Sequence, residues 1–442
     1  MTQTLSAAPR AAPPPATDHF GREMHRLVAD LYPICRSITG NGVRESLDLI
    51  GRHVPLSVHE VPSGTPVFDW TVPNEWNIRD AYVRNSQGQR VIDFRKSNLH
   101  VMSYSMPVRR TVSLEELKAH LHTLPAHPDW IPYRTAYYKE DWGFCVSHRQ
   151  LSELTEPEYE VCIDATLAPG HLTYGECYFP GASPAEVLVS THVCHPSLGN
   201  DNLSGVALAT FLAKQLQAAP RRLSYRFLFI PGTIGAITWL CQREAEVARI
   251  QHGLVLSCVG DAGHVHYKRS RRGNATIDRA MDHVLRHSGD AYVVEDFSPF
   301  GYDERQYCSP GFDLPVGRLS RTPHGRFPEY HTSADNLDFV RPAALADSLA
   351  KCLAVFSILE HDTAYLSRNP KCEPQLGRRG LYRTTGGHQD ERVAEIALLW
   401  VLNFSDGRHT LLDIAERAGL PFEELRLAAE VLAAHDLIAP AP

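Results

Sequence analysis

The stretch STHVCHPSLGNDNLSGVALATFLAKQL, residues 190–216, decides how the rest of the chain is read. It opens as the end of an apolar run, crosses a loop holding Pro196 and Gly199, and continues with apolar residues at helical spacing. A strand that delivers His192 to its end and a helix with Asp201 at its mouth put an imidazole and a carboxylate across one short loop. Both groups suit zinc, and two or three protein ligands leave a place for water or substrate. Cys194 and His195 stand in the same loop, although ligands packed so closely in an extended chain point in different directions. The competing reading makes the histidines loop residues bonded to backbone and Asp201 a helix cap.

Outward from this stretch, apolar runs alternate with helical patterns: EVLVSTH (186–192), RFLFIPG (226–232), GLVLSCV (253–259) and LPVGRL (314–319), with helices near 203–218, 274–288 and 342–360. Short buried strands separated by helices predict an α/β fold with a mainly parallel sheet flanked by helices. In such sheets functional groups collect at the carboxyl ends of the strands. GLVLSCVGDAG ends in Asp261, and FPEYHTSADNLDFV sets His331 in a polar loop before the helix that begins near Pro342.

The remaining segments divide the chain. Residues 1–17, rich in Ala, Pro and Thr, predict a disordered tail. Residues 18–60 and 151–370 form the α/β domain, starting with two helices broken between Pro33 and Gly42. Residues 61–150 alternate polar and apolar positions around turn signals and predict an inserted small β-rich domain. Residues 380–442 read as helix, helix, a tight turn at Gly419, a further helix from Pro421 and a short strand, the order of a winged helix-turn-helix.

Composition narrows the function. With 442 residues, a net charge of −7 and 43% hydrophobic residues, the chain reads as a multidomain globular protein with no general attraction for nucleic acid or anionic membranes. No run approaches the roughly 18 uninterrupted apolar residues of a spanning helix, and the N-terminus lacks the pattern of a secretory signal, so a cytoplasmic location is expected. The ten cysteines include no CxxC pair, which argues against a disulfide framework. From His388 to Pro442 ten acidic residues face four arginines, a sign opposed to phosphate contact, so the winged helix is expected to bind protein, pack on the α/β domain or support a homo-oligomer.

THVCHPSLGNDNLSG (191–205), CVGD (258–261) and YHTSADN (330–336) resemble segments of the zinc aminopeptidase family with a co-catalytic two-metal site. The resemblance implies that His192 and Asp261 hold one metal, Asp201 bridges, and His331 holds the other. FGYDERQYCSPGFDLPV (300–316) resembles the family segment before its penultimate strand, with Asp303 at the acidic position. DWTVPNEWNIRDAYV (69–83), DFRKSNLHVMSYSMPV (93–108) and the terminal winged helix add a narrower resemblance, to a bacterial group of aminopeptidase-like proteins with an inserted β-rich domain.

One departure bears on mechanism. Where the family carries a Glu-Glu pair, general base then metal ligand, this chain has Gly232 and Thr233 in FLFIPGTIGAI. The resemblance then implies one zinc rather than two, held by His192, Asp201 and His331, with Asp261 as fourth ligand or as partner to a histidine. Glu304 and His195 are the candidates to replace the base. Arg269 and Arg271 are candidates to clamp a substrate anion, and Tyr302, Tyr307 and Tyr330 to line the pocket. The expected activity is hydrolysis of an amide bond in a peptide or amino-acid conjugate. A catalytically silent binding protein is one alternative. Metal-assisted acyl transfer or cyclisation is the other, since glutaminyl cyclases resemble the same family.

Overall fold

The computed structural model describes residues 16–381 and 389–442, so most of the expected N-terminal tail lies outside the described residues. The chain divides into two units. One holds the described residues up to Ala275 together with Ala291–Ala350, and the other holds Thr276–Asp290 and Lys351–Pro442.

The first unit is built on an eight-stranded sheet in the spatial order Ser57–Pro62, His171–Phe179, Ser224–Ile230, Glu186–His192, Ile250–Leu256, Val316–Ser320, Val265–Lys268 and Tyr292–Glu295. The four central strands run parallel, and the first two join antiparallel. All seven residues of Glu186–His192 and of Ser224–Ile230 are buried, as continuous apolar strands covered on both faces require. The helices Ala16–Leu31, Asn41–Gly51 and Gly205–Gln217 follow the expected pattern closely. Pro342–His361 is long and apolar enough to cross a membrane by composition, yet it buries Leu345, Leu349, Val355 and Phe356 as a core helix.

The inserted sheet extends past the boundary expected from sequence. Its strands lie in the order Arg90–Asp93, Glu75–Arg84, Glu158–Ala168 and Val108–Ser113, all antiparallel. Glu158–Ala168 therefore belongs to the insert rather than to the α/β domain. Its edges carry no strong turn signal at residue 150, whereas its long register with Glu75–Arg84 holds it there.

The second unit contains the winged helix. Gln389–Phe404, Leu411–Ala418 and Phe422–Ala434 are its helices, with Gly419 in the left-handed conformation at the turn. Its small sheet pairs Ala364–Ser367 with Asp406–Thr410 and Ile438–Pro440, so the module begins before residue 380. The helix Thr276–His287 joins this unit: Arg279 pairs with Asp413 at 2.7 Å and Glu416 at 2.6 Å, and the Phe422 backbone N–H donates to His283 Nε2.

A bidentate ion pair ties the insert to the α/β layer. Arg44 donates to both oxygens of Glu75 at 2.8 Å, and the guanidinium holds the Glu75 carboxyl down to about 2. Because the folded value lies below the ordinary 4.5, this stabilisation is complete above pH 4.5 and is lost as pH falls toward 2. Glu75→Gln is expected to cost about 1–3 kcal/mol at pH 7 by urea titration. That deficit should shrink below pH 4.5, and a deficit constant down to pH 3 would count against the ion pair.

Candidate metal centre

The strand Glu186–His192 ends at the centre of the sheet edge, and the chain then turns through His195 into the kinked segment Gly199–Ser204. That kink carries Asp201, fully buried, to the middle of a ring of histidines. His192 Nε2 lies 2.9 Å from Asp201 Oδ1, His331 Nε2 lies 3.0 Å from Oδ2, and His195 Nδ1 lies 3.5 Å from Oδ2. The Tyr302 hydroxyl donates to Oδ1 at 2.9 Å. Three of the four expected ligands, His192, Asp201 and His331, are thus brought together, and His195 joins them.

The local sequence explains the kink. Asp335 accepts hydrogen bonds from the backbone N–H groups of Asn200, at 2.6 Å, and Asp201, at 2.9 Å. Asn202 Nδ2 donates to Thr191 Oγ1 and to the Leu256 carbonyl, while its Oδ1 accepts from Cys258 N, so one side chain stitches two strand ends together. A Cβ on Gly205 would lie 2.7 Å from the Leu256 carbonyl oxygen, which is why the helix must start on glycine.

Aromatic rings hold the imidazoles in place. Tyr302 stacks on His192 with centroids 4.6 Å apart, and Tyr330 stacks on His331 at 3.9 Å. Tyr133, from the insert, meets His195 and His331 edge-on at 5.3 and 5.1 Å. Its backbone N–H donates to the His331 carbonyl, which fixes a residue whose φ is +55°. Buried Arg36 donates to the His195 carbonyl at 3.1 Å. Tyr133, Asp335 and Arg36 escaped sequence reading, because isolated residues of these types carry no spacing signal.

The electrostatics suit a cation. Burial pushes His192 and His331 below the usual histidine value, so both are neutral imidazoles with a lone pair to give. Burial alone would raise Asp201, but the imidazoles of His195, His192 and His331 hold its carboxyl well below the ordinary range. His195 Nδ1, His331 Nε2 and Asp201 Oδ2 are buried facing one another, and none of them has another hydrogen-bond partner among the described residues. Orphaned polar atoms are uncommon in protein interiors. Ligand atoms of His192, His195 and Asp201 also lie within 4.8 Å of one another. Nitrogen and oxygen lone pairs gathered on one buried point make a donor set fit for zinc.

Other expected residues take different roles. Asp261 Oδ1 accepts from Gly263 N and Thr322 Oγ1, and its Oδ2 accepts from Asn200 Nδ2 and Thr322 N. Four hydrogen bonds occupy this carboxylate, so it braces the Asn200–Asp201 turn instead of joining the histidines. Glu304 Oε1 is held by Lys268 Nζ at 2.6 Å and faces Arg318 at 3.5 Å, all three residues buried, so the carboxylate serves as their counter-charge, although its Oε2 has no hydrogen-bond partner among the described residues. Arg269 and Arg271 pair with Asp296 and Asp313 on the surface, because the loop that carries them turns outward to those partners. Tyr307 donates to or accepts from Ser190 Oγ in the core at 2.9 Å.

Asp303 stands out beside Gly232. A Cβ at position 232 would lie 3.1 Å from His192 Cβ and 3.4 Å from Asp303 Oδ1. Asp303 is buried, neither oxygen has a hydrogen-bond partner among the described residues, and burial raises its carboxyl to about 8. A cavity of about 920 Å³ lies between the first helices and the insert and reaches Ser197 and Ser333, on the loops of His195 and His331.

The central, mainly parallel sheet flanked by helices, with the histidine and aspartate cluster at its strand ends, gives the first unit an aminopeptidase-like fold. In the solved structures this fold recurs in the zinc aminopeptidase of Bacillus subtilis, with a TM-score of 0.57 at 13% identity over 79% of this chain and 96% of that one. The chain belongs to the family described as "Domain of unknown function (DUF4910)", matched over residues 25–362, and carries a winged helix-turn-helix (HTH_47) over residues 363–440. It is 55% identical over 412 residues to a "Putative polysaccharide biosynthesis protein with aminopeptidase-like domain" of Clostridium acetobutylicum, covering 93% of this chain and 95% of that one. A crystal structure described as a "putative peptidase" from Clostridium acetobutylicum superposes with a TM-score of 0.92 at 52% identity, covering 96% and 97% of the two chains.

Two substitutions separate the roles of the adjacent acids. Glu304→Gln removes the counter-charge of buried Lys268 and Arg318 while leaving the Lys268 bonds to the Ser298 and Phe300 carbonyls, and is expected to cost about 3–5 kcal/mol in chemical unfolding. A fully stable variant would return Glu304 to the list of free carboxylates. Asp303 has a folded value raised from 3.8, so its contribution is present below pH 3.8 and is lost as pH rises through about 8. Asp303→Asn in metal-free protein should therefore gain on wild type in thermal unfolding from pH 5 to pH 9, and a parallel pair of curves would contradict the raised value.

Proposed function

We propose that the protein is a hydrolase of amide bonds in peptides or amino-acid conjugates, dependent on one zinc ion held by His192, His195, Asp201 and His331. The observation that carries this reading is the convergence of the ligand atoms of His192, His195 and His331 on the buried carboxylate of Asp201. When bound, zinc supplies a Lewis acid that polarises the carbonyl of the scissile amide.

The chain's own residues do the rest. His192 and His331 stay neutral, and Tyr302, donating to Asp201 Oδ1, orients the carboxylate. Asp303 takes the place of the missing base: it stands beside Gly232 without a hydrogen-bond partner among the described residues, and a carboxyl at about 8 exchanges protons close to neutrality. It accepts a proton from attacking water and returns it to the departing amine. The acidic recognition helix, where Arg426 is consumed by Glu423 and Glu430, supports a protein-facing winged helix that does not bind nucleic acid. A cytoplasmic protein without membrane contact, possible as a homo-oligomer, is consistent with this reading.

Acyl transfer or cyclisation uses the same cluster, and a silent binding protein needs no turnover. Elemental analysis of zinc-equilibrated protein is expected to give about one zinc per chain, lost in a His331→Ala/Asp201→Ala variant. Mass spectrometry of products from a panel of amino-acyl amides should show the addition of one water, abolished by chelation and reduced by Asp303→Asn about 10²-fold or more. A product lacking the added water would assign acyl transfer. Zinc without turnover would assign a binding role, and absence of zinc would end the metal reading.

A further inference from the structure

Two buried cations stand side by side in the sheet that carries the metal centre. Lys268, at the end of the strand Val265–Lys268, and Arg318, in Val316–Ser320, are direct antiparallel partners, and each is 3% exposed. Like charges placed opposite one another destabilise a sheet, and a buried charge is costly unless it is paired. One acid, Glu304, serves both. Its Oε1 lies 2.6 Å from Lys268 Nζ but 3.5 Å from Arg318 Nη1, longer than the roughly 2.7–2.9 Å of a charge-assisted bond. Gly301 closes over the Lys268–Glu304 pair, since a Cβ there would lie 2.0 Å from Glu304 Oε1 and 2.7 Å from Lys268 Nζ. Glu295, opposite Lys268 on the next strand, is taken by Arg326 at 2.5 Å. Arg318 is thus left with surplus positive charge, and its Nε is buried without a hydrogen-bond partner among the described residues.

His324 connects this charge to the metal cluster. Arg318 Nη1 lies 3.3 Å from His324 Nδ1, and a guanidinium can only donate, so Nδ1 accepts and the ring proton sits on Nε2. Burial, and after it the charge of Arg318, lowers this imidazole to about 4 and keeps it neutral. Unlike Arg318, His324 is only half-buried. Its ring meets Tyr302 edge-on with centroids 4.8 Å apart, and Tyr302 in turn stacks on His192 and donates to Asp201. On its other contact, at 5.3 Å, lies Phe300, 71% exposed. A single tyrosine ring therefore separates the metal cluster from a neutral imidazole with an N–H to give and an unbalanced guanidinium behind it.

We infer that His324 and Arg318 recognise a carboxylate of the substrate, which makes the substrate an amino-acid conjugate with a free α-carboxylate or an acidic side chain. The charge balance sets the class. Lys268, Glu304 and Arg318 together carry one positive charge in excess, which a carboxylate cancels and a phosphate dianion overshoots. Arginine matches carboxylates in geometry as well as in sign. Held opposite Lys268 with a shared counter-ion, Arg318 weakens the empty protein and is repaid only when an anion arrives, the usual conflict between stability and a working site. The inference rests on the amide-hydrolase reading for the kind of molecule that bears the carboxylate, but the recognition is measurable without turnover.

The test is calorimetric titration of the full-length protein, zinc-loaded and chelated, with L-glutaminamide, L-glutamine, L-isoglutamine and inorganic phosphate. Glutamine offers the α-carboxylate and isoglutamine the side-chain carboxylate, while glutaminamide has neither. One of the two acids is expected to bind about tenfold or more tighter than glutaminamide, in chelated protein as well, and which one it is names the source of the carboxylate. Arg318→Met and His324→Gln should each reduce that preference to about threefold or less, and Arg318→Met should unfold in urea at the wild-type midpoint or above it. No preference in the wild type, or one that survives in both variants, overturns the inference. A midpoint for Arg318→Met lowered as far as that of Glu304→Gln overturns it too, by making Arg318 a structural partner of Glu304. Arg318-dependent binding of phosphate tighter than of either acid overturns the carboxylate class. Carboxylate preference without zinc uptake or turnover supports the recognition point while removing the hydrolase reading, and zinc-dependent hydrolysis without the preference does the reverse.

Discussion

The buried carboxylate of Asp201 is the constraint around which the first unit is arranged. A charged group with no exposure is expensive unless it is paired and hydrogen-bonded. Here His192, His195 and His331 surround it, Tyr302 donates to it, and its backbone N–H is held by Asp335. These partners arrive from three separate parts of the chain: the loop of His192 and His195, the segment of Tyr302, and the loop of His331 and Asp335. Their convergence requires the central strands to end in register, Asn202 to bridge two of those ends, and Asp261 to brace the turn from behind.

The insert contributes to this arrangement. Tyr133 seats itself between His195 and His331, and the backbone around Ile131 and Tyr133 bonds to His331 and Ser333, fixing the loop that delivers the last histidine. One added domain thus helps to position the loop of His331. A shared fold hosts many chemistries by changes of this kind at the strand-end loops.

Gly232 and Thr233 bring no charge to the strand end beside His192, so the acids nearby decide the local electrostatics. Of the adjacent acids, Glu304 is neutralised by Lys268 and Arg318, whereas neither oxygen of buried Asp303 has a hydrogen-bond partner among the described residues. Two neighbours in sequence therefore hold opposite roles, one an anchor and the other a group able to exchange a proton. The helix Glu304–Tyr307 produces the split by turning successive side chains in different directions.

What could be read from residues alone was whatever has a period or a spacing. The buried parallel strands, the helix after Asp201, the turn at Gly419 and the loop segments of His192 and His331 were legible because apolar periodicity and short-range turn chemistry are local. The end of the insert was not legible, since Glu158–Ala168 pairs with a strand about eighty residues earlier, and no local pattern records a partner so distant. The same holds for the side chains that the resemblance placed at the metal or the reacting centre. Asp261 was withdrawn by four hydrogen bonds and Glu304 by a lysine more than thirty residues before it, while His195 was drawn in by the turn of its loop. Residue type and order set which groups are available. Only the tertiary structure decides which carboxylates are already occupied and which are left to bind, because burial and pairing are properties of neighbours that the chain brings together by folding.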